Sequence, residues 1–122
     1  LNKLLSTELL VTSDFNFDSL TAFAGEDKEA SASILKTFVE ETTKSNVLFE
    51  GTLQDDDREQ SAKISHKMVP LFTMLGATSL VEKLRVIEKN ATTLPVEEWK
   101  SLLSEVIAEV KKIIEQAMTV SK

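Results

Sequence analysis

The sequence predicts an all-α protein, an up-down-up-down four-helix bundle with a short extra helix at its N-terminal end. Apolar residues recur at the helical period, and no segment shows the strict alternation of a half-buried strand. Because the 122 residues include only three glycines and two prolines, most of the chain can be regular structure. This length suits a single domain with its own core.

The N-terminal part is expected to be a linker or extension over residues 1–13, with the bundle domain occupying 14–122. The extension carries a group of leucines. A short helix is expected from Asp18 to about Ala24, where Gly25 ends it.

The first long helix is predicted to begin after Asp27 as its N-cap and to continue to about Leu53. Its inward stripe is polar in the middle, so packing should be softer there. The stripe consists of Ile34, Leu35, Phe38, Thr42, Ser45, Phe49 and Leu53.

The second long helix follows an acidic turn at residues 55–57. Asp57 and Gln60 have the spacing of an N-cap and its reciprocal partner. The helix should continue to about Leu75, and Gly76 should end it.

Two more helices complete the bundle. Ser79 and Glu82 match a capping box for a helix that continues to about Lys89. The last helix should begin near Pro95 and bury Trp99, Leu102, Leu103, Val106, Val110, Ile113 and Ala117. The short connections favour antiparallel neighbours.

Composition excludes several kinds of function. The chain has no cysteine, so it has no disulfide or thiolate metal site. With one histidine and no Glu-x-x-His pair, no metal site is expected. The net charge of −6 argues against binding to nucleic acid, and no apolar run is long enough to cross a membrane.

His66 is the candidate catalytic residue. At about 100° per residue, Ile64, Met68, Leu71 and Leu75 fall on the opposite side of its helix. The imidazole is therefore predicted to point outward, where its unprotonated nitrogen can act as a nucleophile near neutral pH. No second catalytic group is evident beside it in the sequence.

The outer face around His66 is unusually apolar at its centre, which is typical of a docking surface for a protein partner. Lys63 and Lys67 are expected to lie close to a phosphoryl group on the histidine and to offset its charge. The predicted partner-docking residues are Glu59, Ala62, Val69, Pro70, Thr73 and Met74.

The segment from Ala62 to Glu88, AKISHKMVPLFTMLGATSLVEKLRVIE, resembles the core of histidine-containing phosphotransfer (HPt) domains. His66 matches the active histidine of that family, and Gly76-Ala77 matches the structural pair that closes its helix. The family's two leucines and late glutamate correspond to Leu80, Leu84 and Glu88. With the upstream segment FDSLTAFAGEDKEASASILKTF, the resemblance covers about residues 17–117.

Two positions depart from the family pattern. The family has lysine three positions and glycine four positions after the histidine, where this chain has Val69 and Pro70. Proline removes the backbone N–H that would bond the His66 carbonyl, so a local bend is expected. Positive charge should come from Lys63 or Lys67 instead.

The resemblance implies a phosphohistidine carrier between aspartates of response-regulator receiver domains in a bacterial two-component phosphorelay. It implies a cytoplasmic monomer with no cofactor of its own, since the family assigns Mg²⁺ to the receiver. Because residue 1 is leucine rather than methionine, the chain is expected to be cut from a longer polypeptide. The resemblance then implies a sensor histidine kinase in the same chain as a further partner, as in a hybrid kinase.

Two alternatives remain open. One is a helical bundle that binds proteins without phosphotransfer. The other is a histidine kinase dimerisation domain, because SHKMVPL is similar to the histidine box of those domains. In that comparison Lys67 replaces an acidic residue, Pro70 comes one position early, and two of the four helices are left unexplained.

Overall fold

The computed structural model describes Phe17 and residues 21–120, and this part of the chain forms helices without any strand. A short 3-10 helix, Ala22–Ala24, precedes four α-helices. These are α1 (Lys28–Asp55), α2 (Arg58–Met74), α3 (Thr78–Asn90) and α4 (Val96–Val120). The predicted extension at 1–13 and the predicted helix start at Asp18 lie outside the described residues.

The four α-helices form a closed ring. Each helix packs against the next one in sequence, and α4 packs against α1. The connections between them are only two to five residues long, so sequence neighbours are antiparallel. The predicted all-α four-helix bundle is confirmed.

Two of the three predicted N-caps are confirmed. Asp27 accepts a hydrogen bond from the Ala30 backbone N–H at 3.1 Å, and Asp57 accepts one from Gln60 N–H at 3.2 Å. The predicted capping box at Ser79 is wrong, because α3 begins at Thr78 and Ser79 lies inside its first turn.

The core runs the length of the ring, and its largest fully buried side chain is Trp99. The predicted inner residues of α4 are buried except Leu102, which is half-buried at the core edge. Other fully buried apolar side chains are Phe49, Phe72, Leu75, Leu84, Ile87, Leu103, Val106, Val110 and Ala117.

A buried polar link fixes one end of the bundle. The Trp99 indole N–H donates to the Ser61 hydroxyl at 3.0 Å, and that hydroxyl donates to the Arg58 carbonyl at 2.7 Å. The Arg58 guanidinium lies 5.7 Å from the centre of the Trp99 ring and donates to the carbonyls of Ala91 and Leu94. These contacts hold the start of α2, which carries His66, against the α3–α4 connection.

Candidate functional site

His66 lies in the middle of α2 and points out of the bundle. Its side chain is 75% exposed. On the opposite side of α2, Ile64, Met68 and Leu75 are buried and Leu71 is half-buried. The outward orientation predicted from helical geometry is therefore confirmed.

A carboxylate on the neighbouring helix contacts the histidine. The Nδ1 atom of His66 lies 2.5 Å from Oε2 of Glu88, which is 22 residues away on α3 and 28% exposed. The sequence of α2 alone shows no second catalytic group beside His66, and the structure places the Glu88 carboxylate there. The match of Glu88 to a glutamate of the HPt pattern was the one sequence feature that pointed to this residue. The helical periodicity of α2 gives no information about residues on α3.

The Glu88 contact assigns different roles to the two ring nitrogens. An ionised carboxylate can only accept hydrogen bonds, so Nδ1 carries a hydrogen and donates it to Glu88. In the neutral ring the free lone pair is then on Nε2. The site thus presents an exposed nucleophilic nitrogen whose ring is oriented from behind by a carboxylate.

Positive charge is available on the same helix. Lys63 lies one turn before His66 and Lys67 lies next to it, and both are exposed. Neither lysine forms an ion pair within the described part of the chain. Their ammonium groups are therefore not committed to a partner carboxylate and can face an incoming anion.

Most of the predicted docking residues lie on the surface. Ala62 is half-buried. The exposed members are Glu59, Pro70, Thr73 and Met74. Val69 does not belong to this surface, because it is only 8% exposed and forms part of the core. The prediction for Val69 was wrong: its position, about 60° around α2 from His66, is covered by packing.

Pro70 lies inside α2, four residues after His66, and is exposed. The helix continues through it to Met74. Proline has no N–H to donate to the His66 carbonyl. The bend expected at this point stays a prediction.

The pair Gly76-Ala77 closes α2 as predicted. Gly76 has φ of 77°, in the left-handed region, and its N–H donates to the Thr73 carbonyl at 3.0 Å. The Ala77 N–H donates to the Phe72 carbonyl at 3.0 Å. These two bonds form a Schellman motif, and the buried Ala77 then begins α3, which carries Glu88.

The fold and the site together define a helical bundle with an exposed, carboxylate-held histidine. No protein-family model matches the chain, and no curated protein or solved structure matches it. Among the residues described, no helix has the length and apolar character to cross a membrane. The same residues contain no cluster of three or more ligating side chains suited to a metal ion.

Proposed function

We propose that the chain is a phosphohistidine carrier that moves phosphoryl groups between aspartates of response-regulator receiver domains, as the resemblance to HPt domains implies. The observation that carries this proposal is the combination of 75% exposure of the His66 side chain with the 2.5 Å contact between its Nδ1 and Glu88. A surface histidine without a function would be exposed, but no contact would be needed to orient its ring. A carrier also needs an oriented ring with one free nitrogen.

In the proposed transfer one bond to phosphorus forms as another breaks. The Nε2 lone pair of His66 attacks the phosphorus of an aspartyl phosphate, the N–P bond forms and the acyl P–O bond breaks. The electron pair of that bond returns to the aspartate, which leaves as a carboxylate. The ring becomes positively charged while Nδ1 keeps its hydrogen, and the Glu88 carboxylate stabilises that charge. The reverse sequence passes the phosphoryl group to a second aspartate.

The surroundings suit this transfer in two ways. A phosphoryl group adds about −1.5 to −2 charges, and Lys63 and Lys67 supply exposed positive charge on the same helix. Pro70 and Met74 provide exposed apolar surface that a receiver domain can cover. In this proposal the receiver brings the Mg²⁺ ion that acts on the transferring phosphoryl group.

The kinase-dimerisation alternative receives less support. The four described helices close a ring around one core within a single chain, so the bundle needs no second copy to bury its apolar stripes. A dimerisation domain would require a stable homodimer. Light scattering at micromolar concentration should therefore find a monomer.

The experiment is transfer from a purified receiver domain that has been phosphorylated with radiolabelled phosphodonor. The chain should acquire label that is stable in alkali and labile in acid, and His66→Gln should remove it. Label that survives His66→Gln would contradict the assignment. Absence of label across a panel of receivers would instead favour a bundle that only binds proteins.

A further inference from the structure

An apolar groove runs between α1 and α2 on one side of the bundle. Its volume is about 420 Å³. The half-buried Ile34 and Leu71 lie in it with the ring of Phe38, while exposed Ser33, Thr37 and Glu41 form its α1 rim. Among the described residues, nothing covers this apolar floor completely.

Phe17 packs against a residue that lines the same groove. Phe17 is buried, and its ring packs edge-on against Phe38 with centroids 5.8 Å apart. Phe38 in turn packs edge-on against Phe72 at 6.1 Å. Phe17 therefore lies against a side chain that forms the floor of the groove.

The preceding sixteen residues have a composition suited to apolar surface. They include Leu1, Leu4, Leu5, Leu9, Leu10, Val11 and Phe15, with charges only at Lys3, Glu8 and Asp14. Val11 is six residues from Phe17, a reach of at most about 20 Å for extended chain. Burial of such leucines gains free energy in proportion to the apolar area removed from water.

We propose that the groove between α1 and α2 is the docking site of the chain's own N-terminal segment, residues 1–16. The leucines of the segment cover Ile34, Phe38 and Leu71, and Phe17 anchors the segment at one end. This inference is independent of phosphotransfer.

Paramagnetic relaxation in the full chain tests the proposal. The chain has no cysteine, so Glu40→Cys places a single nitroxide beside the groove without lining it. Ser101→Cys is the matched control, exposed on α4 one turn before Glu105, which faces α3. The amide signals of residues 4–11 should lose most of their intensity with the label at 40 and little with the label at 101.

Tethering alone brings the segment near the label, because a flexible chain of ten residues spans only about 17 Å on average. A second variant separates tethering from docking. Replacing Leu4, Leu5, Leu9 and Leu10 by serine in the Glu40→Cys chain should restore most of the lost intensity. An unchanged loss in that variant would overturn the proposal.

A mixed sample identifies the occupant. When the nitroxide and the isotope label are on separate molecules, the amide signals of residues 4–11 should keep their intensity. A loss in the mixed sample would overturn the intramolecular proposal in favour of a second copy of the chain. Equal losses from positions 40 and 101 would also overturn it.

Discussion

The carboxylate of Glu88 decides which nitrogen of His66 is free, since it lies 2.5 Å from Nδ1. We expect Glu88→Ala to raise the population of the tautomer with hydrogen on Nε2 by about tenfold, because a hydrogen bond to a charged group contributes about 1.5 kcal/mol or more. Imidazole ¹⁵N shifts of the neutral ring measure the tautomer ratio. Glu88→Gln should keep most of the original ratio, because its amide oxygen still accepts from Nδ1.

An unchanged tautomer ratio in Glu88→Ala would show that the contact does not orient the ring. The same pair of variants should differ in phosphotransfer rate, with Glu88→Ala the slower. Glu88→Ala should lower the free energy of unfolding by up to about 1.5 kcal/mol, the contribution of the lost hydrogen bond, and Glu88→Gln should unfold at nearly the same temperature as the parent.

The lysines on the His66 helix should affect the rate of transfer and leave folding unchanged. Lys63→Ala and Lys67→Ala are each expected to slow transfer from a receiver by about two- to fivefold, since an exposed charge contributes about 0.2–1 kcal/mol. The loss should shrink at high salt, where surface charges are screened. Lys112→Ala, exposed on α4, removes an equal charge and should leave the rate unchanged; an equal slowing there would mean that only net charge matters.

For a single residue, the sequence predicts only the direction in which the side chain points from the axis of its own helix. The period of α2 predicted the outward direction of His66 and the inward direction of Ile64 and Met68. It could not show where α3 lies beside α2. For that reason Val69 was expected on the surface but is buried, and Glu88 was not recognised as the partner of His66.

The junction between α2 and α3 depends on the left-handed conformation of Gly76. A Cβ in that conformation costs roughly 1–2 kcal/mol, so Gly76→Ala should lower the free energy of unfolding by about that amount. Gly51→Ala is the matched control. Gly51 lies inside α1, where an added Cβ would meet no atom within 4 Å, so this variant should gain about 0.5–1 kcal/mol. Urea denaturation of both variants should give opposite signs, and a loss in both would contradict this account of the turn.

Pro70, four residues after His66, should lower the free energy of unfolding. Pro70→Ala restores an N–H that can bond the His66 carbonyl, and Pro70 is exposed, so little packing is lost. The expected gain in unfolding free energy is about 2 kcal/mol, after allowance for the greater entropy of the unfolded chain. Pro95→Ala is the control, because Pro95 lies just before α4 and no helical hydrogen bond is regained there. Equal effects of the two substitutions in thermal unfolding would count against a stability cost from the missing N–H at Pro70.

Helix boundaries could be predicted where a local side chain sets them. Asp27 and Asp57 cap their helices because the cap is a contact over three residues. The start of α3 follows instead from the Schellman turn at Gly76, which places Ala77 before the first turn. Ser79 and Glu82 have the spacing of a capping box, but because the turn makes Ala77 the N-cap, Ser79 lies inside the first turn of α3.

The pairing of α3 with α4 includes a charged cluster on the outside of the bundle. Lys83 lies 2.6 Å from Glu109 and 3.4 Å from Glu105. Burial alone would lower the pKa of Lys83, but the hydrogen bonds and charges of Glu109 and Glu105 outweigh it and raise the pKa above 10.5. Since the folded-state pKa is the higher one, the stabilising contribution is complete below pH 10.5 and is lost as pH rises through the folded-state pKa.

We therefore expect Lys83→Met to lower the unfolding free energy by about 1 kcal/mol at neutral pH, since it leaves the Glu109 carboxylate without its cation. The difference from the parent should be constant from neutral pH to about pH 10 and should shrink above the ordinary lysine pKa of 10.5. Urea titrations at several pH values measure it. A difference that shrinks between neutral pH and about pH 9 would contradict the role of Lys83.

The fold of the whole molecule could be predicted because four amphipathic stripes with short connections have few other ways to bury themselves. The sequence did not predict the contacts between elements that are distant in the chain. Asn46 illustrates this, because its buried amide N–H donates to the Ile107 carbonyl at 3.2 Å and links α1 to α4. Such polar links leave no periodic trace in a sequence.

The central claim is that His66 accepts a phosphoryl group on Nε2. The most direct measurement is NMR of imidazole-¹⁵N-labelled chain during transfer from a phosphorylated receiver, which locates the phosphorus on one ring nitrogen. We predict phosphorus on Nε2 of His66, with the hydrogen on Nδ1 retained. A phosphoryl group on Nδ1, or transfer that leaves His66 unmodified, would contradict the account.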